Sequence, residues 1–489
     1  MGDQLRARRA WLAVVAMVVT VGVVIGVATG AFAGLAREGL YATGLWSHNG
    51  PSTLPVEPPS DSPTSTAAPT TSPRPTEAAG QPHPVLAAAT SGPAPNQKAL
   101  AAKIAAVRVK DAEGSYSGAV LDVRTGKLVF RHQAGKARIP ASTMKLLTGG
   151  AALATYGPEH TFTTSVVKGT GNRIILVGGG DPYLSKKSRP DAFPKRASIT
   201  DLARATAAKL RKSKTTRVSL GYDVSLFSGP AWNPAWPSFY SDQVTRVSAL
   251  WVDEGRVNGG SPGPRVADPA GNAAAAFAAA LRQQGVEVSS VREAKAPRSA
   301  AKVASVSSMP LQRIVEQVLM VSDNDGAEVL FRHVAVGAQR KGSSAEAAKA
   351  VRAVLTKLGV WVDGTTITDG SGLARETKVP AATMVRLLGL AAQHRHPELR
   401  ALITGLPVAG VEGSLRSRYF DDQSEAGRGV VRGKTGTLRK VHSLAGLVRT
   451  RDGSVLVYAF LVNNPKNDYQ AKVWLDHVSA ALATCGCRG

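Results

Sequence analysis

Cysteine is nearly absent from this 489-residue chain: only Cys485 and Cys487 occur. No disulfide framework can hold such a fold together, and two thiols without a histidine-rich neighbour cannot complete a four-ligand zinc site. The pair either closes on itself or stays reduced. Aromatic residues are few, at 5%, and acidic residues are outnumbered, 35 against 60, which leaves a formal charge of +25. That excess suits an anionic neighbourhood, whether nucleic acid, lipid surface or cell-wall polymer. With 43% hydrophobic and 19% charged residues, the chain is neither a disordered polyelectrolyte nor a multi-span membrane protein. Its length allows two or three domains.

Charged side chains are missing altogether between Ala10 and Ala36. As a helix that run would reach about 40 Å, more than the roughly 30 Å hydrocarbon core of a bilayer. Arg6, Arg8 and Arg9 precede it, so residues 1–9 are expected in the cytoplasm and everything beyond the span outside. A cleaved signal peptide using Ala31-Phe32-Ala33 is the competing reading, but the run exceeds an ordinary signal core of about 7–15 residues. Both readings export the rest of the chain, where no nucleic acid waits. Between Pro51 and Asn96 lie 12 of the 29 prolines, mixed with Ser, Thr and Ala. Such a segment cannot bury enough apolar surface to fold, so residues 37–96 are expected to be a tether.

From residue 97 onward the pattern is globular. Gly118–Val123 and Lys127–Arg131 flank a turn and predict a hairpin. Val430–Gly436, Ser443–Arg449 and Ser454–Asn463 alternate as strands do, and Ala471–Leu482 predicts a closing helix. Strands at both ends with helices between them predict an α+β domain, residues 97–160 and 305–489. Residues 161–304, with helices at Ile199–Arg211 and Asn272–Gln284, are expected to be an inserted domain.

Three short motifs carry chemistry. Ser142-x-x-Lys145 opens a helical stretch, and a spacing of three puts both side chains on one face, so the amine can take the serine proton. Ser299-x-x-Lys302 has the same spacing but no apolar helix after it. Ser322-Asp323-Asn324 falls at a bend between two apolar runs, where a hydroxyl and an amide can move a proton and hold a carbonyl. Lys434-Thr435-Gly436 lies on an expected strand, where lysine and hydroxyl can bind a carboxylate and glycine lets a peptide lie close. Gly433-Lys434-Thr435 is not the end of a phosphate-binding loop, because that loop needs glycine where Arg428 stands.

The three motifs in this order resemble those of the serine β-lactamases and penicillin-binding proteins. The 180 residues between Ser142 and Ser322 exceed the spacing of a compact class A β-lactamase. With Gly178-Gly-Gly-Asp181-Pro182, Asp369-Gly-Ser-Gly-Leu-Ala-Arg375, Leu406–Gly410 and Gly413-Ser414-Leu415, the chain is similar to the class C low-molecular-mass penicillin-binding proteins, the D-alanyl-D-alanine carboxypeptidase/endopeptidase family. The resemblance spans about Leu100 to Asn464.

It implies a transpeptidase-like fold, an antiparallel sheet flanked by helices, and hydrolysis of the terminal D-Ala-D-Ala bond of peptidoglycan stem peptides. Ser142 would be the nucleophile and Lys145 its base, made partly neutral by burial and by a charged Lys434 nearby. Ser322 would relay the proton and Asn324 would hold the acyl amide. Lys434 and Thr435, on the strand with Gly436, would bind the terminal carboxylate; the backbone N–H groups of Ser142 and Thr437 would face the oxyanion. No cofactor or metal is implied. β-Lactams would be inhibitors and anionic wall polymers a further partner class. A β-lactamase, or a silent wall-binding protein, would share these parts. Trp232-Asn-Pro-Ala-Trp236 departs from the family, because no acidic residue follows it before Asp242. The preferred stem-peptide side chain is therefore open, as is a purely structural role for the two tryptophans.

Overall fold

The computed structural model describes residues 92–487. The apolar run at 10–36 and all but the last few residues of the Pro-rich segment lie outside them. Among the described residues no helix is long and apolar enough to cross a membrane.

In chain order the helices of ten residues or more are α1 (Gln97–Ala106), α2 (Met144–Tyr156), α3 (Ile199–Lys212), α4 (Pro269–Gln283), α5 (Leu311–Met320), α6 (Asn324–Gly337), α7 (Ser344–Lys357), α8 (Ala381–Ala391) and α9 (Asp468–Ala483). The strands are β1 (Ser115–Asp122), β2 (Leu128–His132), β3 (Ala137–Arg138), β4 (Thr163–Lys168), β5 (Arg173–Val177), β6 (Arg217–Asp223), β7 (Glu287–Glu293), β8 (Lys302–Ser307), β9 (Val379–Pro380), β10 (Arg432–Leu438), β11 (Val441–Arg449) and β12 (Val455–Asn463). Each expected strand and helix of the globular part is found within a few residues of its expected bounds. The second Ser-x-x-Lys pattern is a turn running into β8, not a helix.

One antiparallel sheet has the order β10-β11-β12-β1-β2 and joins the two ends of the described chain. Its central strands alternate apolar residues on both faces, so both must be covered. Ala119, Leu121, Val457, Ala459 and Leu461 pack with α2, α5, α6, α7 and α8. Val120, Leu456, Tyr458 and Phe460 face the other way, toward α1 and α9. The result is a helix–sheet–helix sandwich of the α+β class.

A second sheet, β7-β6-β5-β4-β8, is built entirely from residues 163–307. The β5–β6 and β6–β7 pairs are parallel. They are bridged by α3 and α4, which share a core with the sheet. Helix α3 starts where Ser198 Oγ accepts from Asp201 N–H, and α4 where Asp268 caps Gly271 N–H ahead of Pro269. Cys485 and Cys487 are bonded to each other. Asn96 N–H donates to the Cys487 carbonyl, tying the start of the described chain to its end.

Candidate active site

Ser142 lies in a one-turn 3-10 segment, Ala141–Thr143, ahead of α2 rather than in its first α-turn. Two contacts set that turn. Ala141 takes a positive φ of 48°, a region non-glycine residues rarely adopt. The Pro140 carbonyl accepts from Thr143 Oγ1 at 2.7 Å and from Ser443 Oγ at 2.6 Å. Strand β10 passes so close that a Cβ on Gly436 would stand 2.5 Å from that carbonyl and 2.2 Å from Ser443 Oγ. The protein's own backbone, before any peptide, therefore requires glycine at 436. Gly372 abuts the same turn from another side, with φ 82° and the Ala141 carbonyl 1.9 Å from where a Cβ would sit.

Lys145 Nζ donates to Ser142 Oγ at 2.8 Å, to Asn324 Oδ1 at 2.7 Å and to the Ser371 carbonyl at 2.8 Å. The lysine is wholly buried. Burial lowers its pKa to about 8, although the carboxylates of Asp323, Asp369, Glu328 and Asp325 push it back up. Burial is the largest cause of that lowering, as expected. Lys434 is itself wholly buried, and burial, then Lys145, drives its pKa well below the usual lysine range. Its Nζ donates to Ser322 Oγ at 2.8 Å and to the Thr435 carbonyl at 2.8 Å.

The Ser322-Asp323-Asn324 bend is built around its middle residue. Asp323 caps α6, accepting from Asp325 and Gly326 N–H, which places Asn324 at the first position of the helix. Ser322 sits just before it with φ 58°, so its hydroxyl turns back toward Lys434. Asn324 is held at both ends of its amide: Oδ1 accepts from Lys145, and Nδ2 donates to the Gln243 carbonyl at 2.9 Å. One amide hydrogen remains for a ligand. Arg256 joins Asp323 at 2.7 Å, Glu254 at 2.8 Å and Asp325 at 3.1 Å, and Arg265 adds a second contact to Asp325. The three carboxylates are near enough to one another to hold a cation. The two guanidiniums already fill that role.

Several residues around the site were not assigned roles from sequence. Ser371 supplies a backbone carbonyl to Lys145. Its turn is pinned from one side by Asp369, which accepts from Trp236 Nε1, Ser371 Oγ, Thr377 Oγ1 and the N–H groups of Gly372 and Ala374. From the other side Glu328 Oε1 accepts from Gly370 and Ser371 N–H. Burial, then the Asp369 charge, raises the Glu328 pKa to about 8. Ser414 Oγ lies 2.8 Å from Thr435 Oγ1. The signal for Ser371 and Ser414 was the Gly-rich segments that contain them; nothing in the sequence points to Gln243. Trp236 is buried, and its indole anchors Asp369. The structure brings Ser142, Lys145 and Asn324 together, sets Ser322 and Lys434 beside them with Thr435 and Gly436 on the same strand, and leaves Thr437 exposed near the end of β10.

A serine hydroxyl hydrogen-bonded to a buried lysine, with a second lysine–serine pair opposite, defines a class of enzyme that acylates its own serine. The D-Ala-D-Ala carboxypeptidase 3 (S13) family matches residues 100–261 and 260–483. Carboxypeptidase DacB of Mycolicibacterium smegmatis is 34% identical over 406 residues, covering 81% of this chain and 86% of that protein. The D-alanyl-D-alanine carboxypeptidase of Actinomadura sp. is 29% identical over 459 residues, 76% of this chain and 82% of the relative. Penicillin binding protein 4 (dacB) from Haemophilus influenzae shares the fold, with a TM-score of 0.62 at 20% identity over 78% of this chain and 98% of that one. The chain belongs to the D-Ala-D-Ala carboxypeptidase 3 (S13) family, and is a serine-type hydrolase of that class.

Proposed function

We propose that Ser142 opens the terminal D-Ala-D-Ala bond of peptidoglycan stem peptides by way of an acyl-enzyme. The 2.8 Å Lys145–Ser142 hydrogen bond carries this reading. Ser142 Oγ loses its proton to neutral Lys145 and attacks the carbonyl of the penultimate D-Ala. The C–N bond breaks, and the proton reaches the leaving amine through Ser322. Water then hydrolyses the ester and restores the serine. With a pKa of about 8, roughly one Lys145 in ten is neutral at pH 7. Asn324 holds the acyl amide with its remaining N–H, while Lys434 and Thr435 take the terminal carboxylate. The backbone N–H groups of Ser142 and Thr437 face the oxyanion, worth about 3–4 kcal/mol per removed donor in such sites. β-Lactams acylate the same serine. Residues 161–304 act as a domain inserted into the catalytic one. The protein works outside the cytoplasm, held by residues 10–36 and a tether at 37–96, among anionic wall polymers that suit its charge.

The test is an intact-mass time course of the full chain with benzylpenicillin beside Ser142→Ala. A lasting single adduct that the variant lacks is the expected result, followed by D-Ala release from a pentapeptide. An adduct that persists in the variant would sink the assignment.

A further inference from the structure

The first 91 residues carry five basic and five acidic side chains, so the whole +25 belongs to residues 92–489. Two shallow clefts of about 420 and 340 Å³ adjoin each other at Gly126, in the turn between β1 and β2. Arg124 and Arg395 line the first; Lys127, Arg131 and Arg386 line the second. No carboxylate lines either cleft, and among the described residues none of the five cations forms an ion pair. The nearest acid in sequence, Asp122, is buried beneath the turn and accepts from Thr125 N–H and Oγ1, and Glu398 pairs with His396. All five cations are exposed. Five positive charges without an ion-pair partner, set around two clefts that share Gly126, repel one another, and an opposing chain of charges relieves that repulsion.

We propose that this double cleft is a docking site for a phosphodiester polyanion of the cell envelope, separate from the reactive serine. The inference deepens the partner class named above by giving it a place on the molecule. A concave track fits a linear polymer of repeating phosphates. An anionic bilayer is the other source of such charge, but membrane-seeking surfaces set exposed aromatic or large apolar residues beside their cations. The exposed large apolar residues here, Phe193, Phe239 and Phe420 foremost, line neither cleft. The five cations contact none of the reactive residues, so occupancy would hold the enzyme on its wall without blocking turnover.

The test uses the full chain and labelled poly(glycerol phosphate) at about 0.1 M salt. One variant combines Arg124→Gln, Lys127→Gln, Arg131→Gln, Arg386→Gln and Arg395→Gln. An equal-charge control combines Lys186→Gln, Lys187→Gln, Arg189→Gln, Lys212→Gln and Lys214→Gln, exposed cations on the other sheet's side. The cleft variant should bind at least about tenfold more weakly, with a salt slope reduced by up to roughly 0.7–0.9 per cation removed, and the control should stay within about twofold. Benzylpenicillin adduct formation should be unchanged in both, which separates this inference from the serine assignment. On the unmodified protein, polymer should shield Lys127 from amine-labelling reagent but leave Lys187 reactive. Equal weakening in both variants, an unshielded Lys127, or tighter binding to phosphatidylglycerol vesicles than to the polymer would each overturn the proposal.

Discussion

Lys145 and Lys434 are both wholly buried and near enough for their charges to interact, yet their surroundings differ in a way that separates their proposed tasks. Lys145 lies in the field of four carboxylates, Asp323, Asp369, Glu328 and Asp325, which offset part of the burial penalty and leave its pKa at about 8. Lys434 has no such support; burial and the neighbouring lysine both disfavour its charge. One amine is therefore poised between protonation states near neutral pH, as a general base should be. The other is disfavoured as a cation, and in the proposed mechanism a substrate carboxylate would supply the missing charge. Residue type alone would not distinguish them; the carboxylates behind each one do.

The largest expected effect comes from removing the poised amine. Lys145→Met should lower the second-order acylation rate by about 10²–10⁴-fold, the range for loss of a positioned base. The parent's rate should also climb with pH through about 8, because the neutral amine is the reactive form. Stopped-flow acylation across pH 6–10 measures both. A methionine variant within tenfold of the parent would break the comparison at its stronger end.

Lys434→Met should act selectively. A hydrogen bond to a charged group is worth about 1.5–3 kcal/mol, so kcat/KM should fall roughly 10–100-fold further for a substrate with a free terminal carboxylate than for an uncharged ester. Equal losses on both would remove the carboxylate role. Because burial and Lys145 both disfavour the Lys434 charge, binding of D-Ala-D-Ala to Ser142→Ala should be accompanied by proton uptake. Calorimetry in two buffers of different ionisation heat reads that uptake, and its absence would mean that Lys434 is already charged.

The two lysines also show how far a sequence can be read. Ser142-x-x-Lys145, Ser322-Asp323-Asn324 and Lys434-Thr435-Gly436 were legible because each needs fixed residue types at fixed spacing. The central sheet was legible because its inner strands are short apolar runs bounded by turn residues. The tuning was not. Glu328 sits at the second turn of α6 and reads as an ordinary helix residue. Only the fold brings it under the Gly370–Ser371 peptides. Likewise Asp323 reads as a helix cap, and its pairing with Arg256 depends on a loop 67 residues away.

Glu328 offers the finest test of the comparison. Its Oε1 accepts from Gly370 and Ser371 N–H, and the Ser371 carbonyl in turn holds Lys145. Its Oε2 is buried without a partner. With a pKa of about 8 it is largely protonated at neutral pH and ionises over the range in which Lys145 loses its proton. Glu328→Gln keeps the acceptor and removes the charge. Whatever negative charge Glu328 carries raises the Lys145 pKa, so the glutamine variant should move the rising limb of acylation to lower pH, by less than about one unit. Its melting temperature should barely change. Glu328→Ala removes the acceptor as well, leaving two buried N–H groups unpaired at about 1–3 kcal/mol each, and should lose stability and acylation rate together. A limb that stays in place in the glutamine variant would mean that the carboxylates set the position of Lys145 and not its proton affinity.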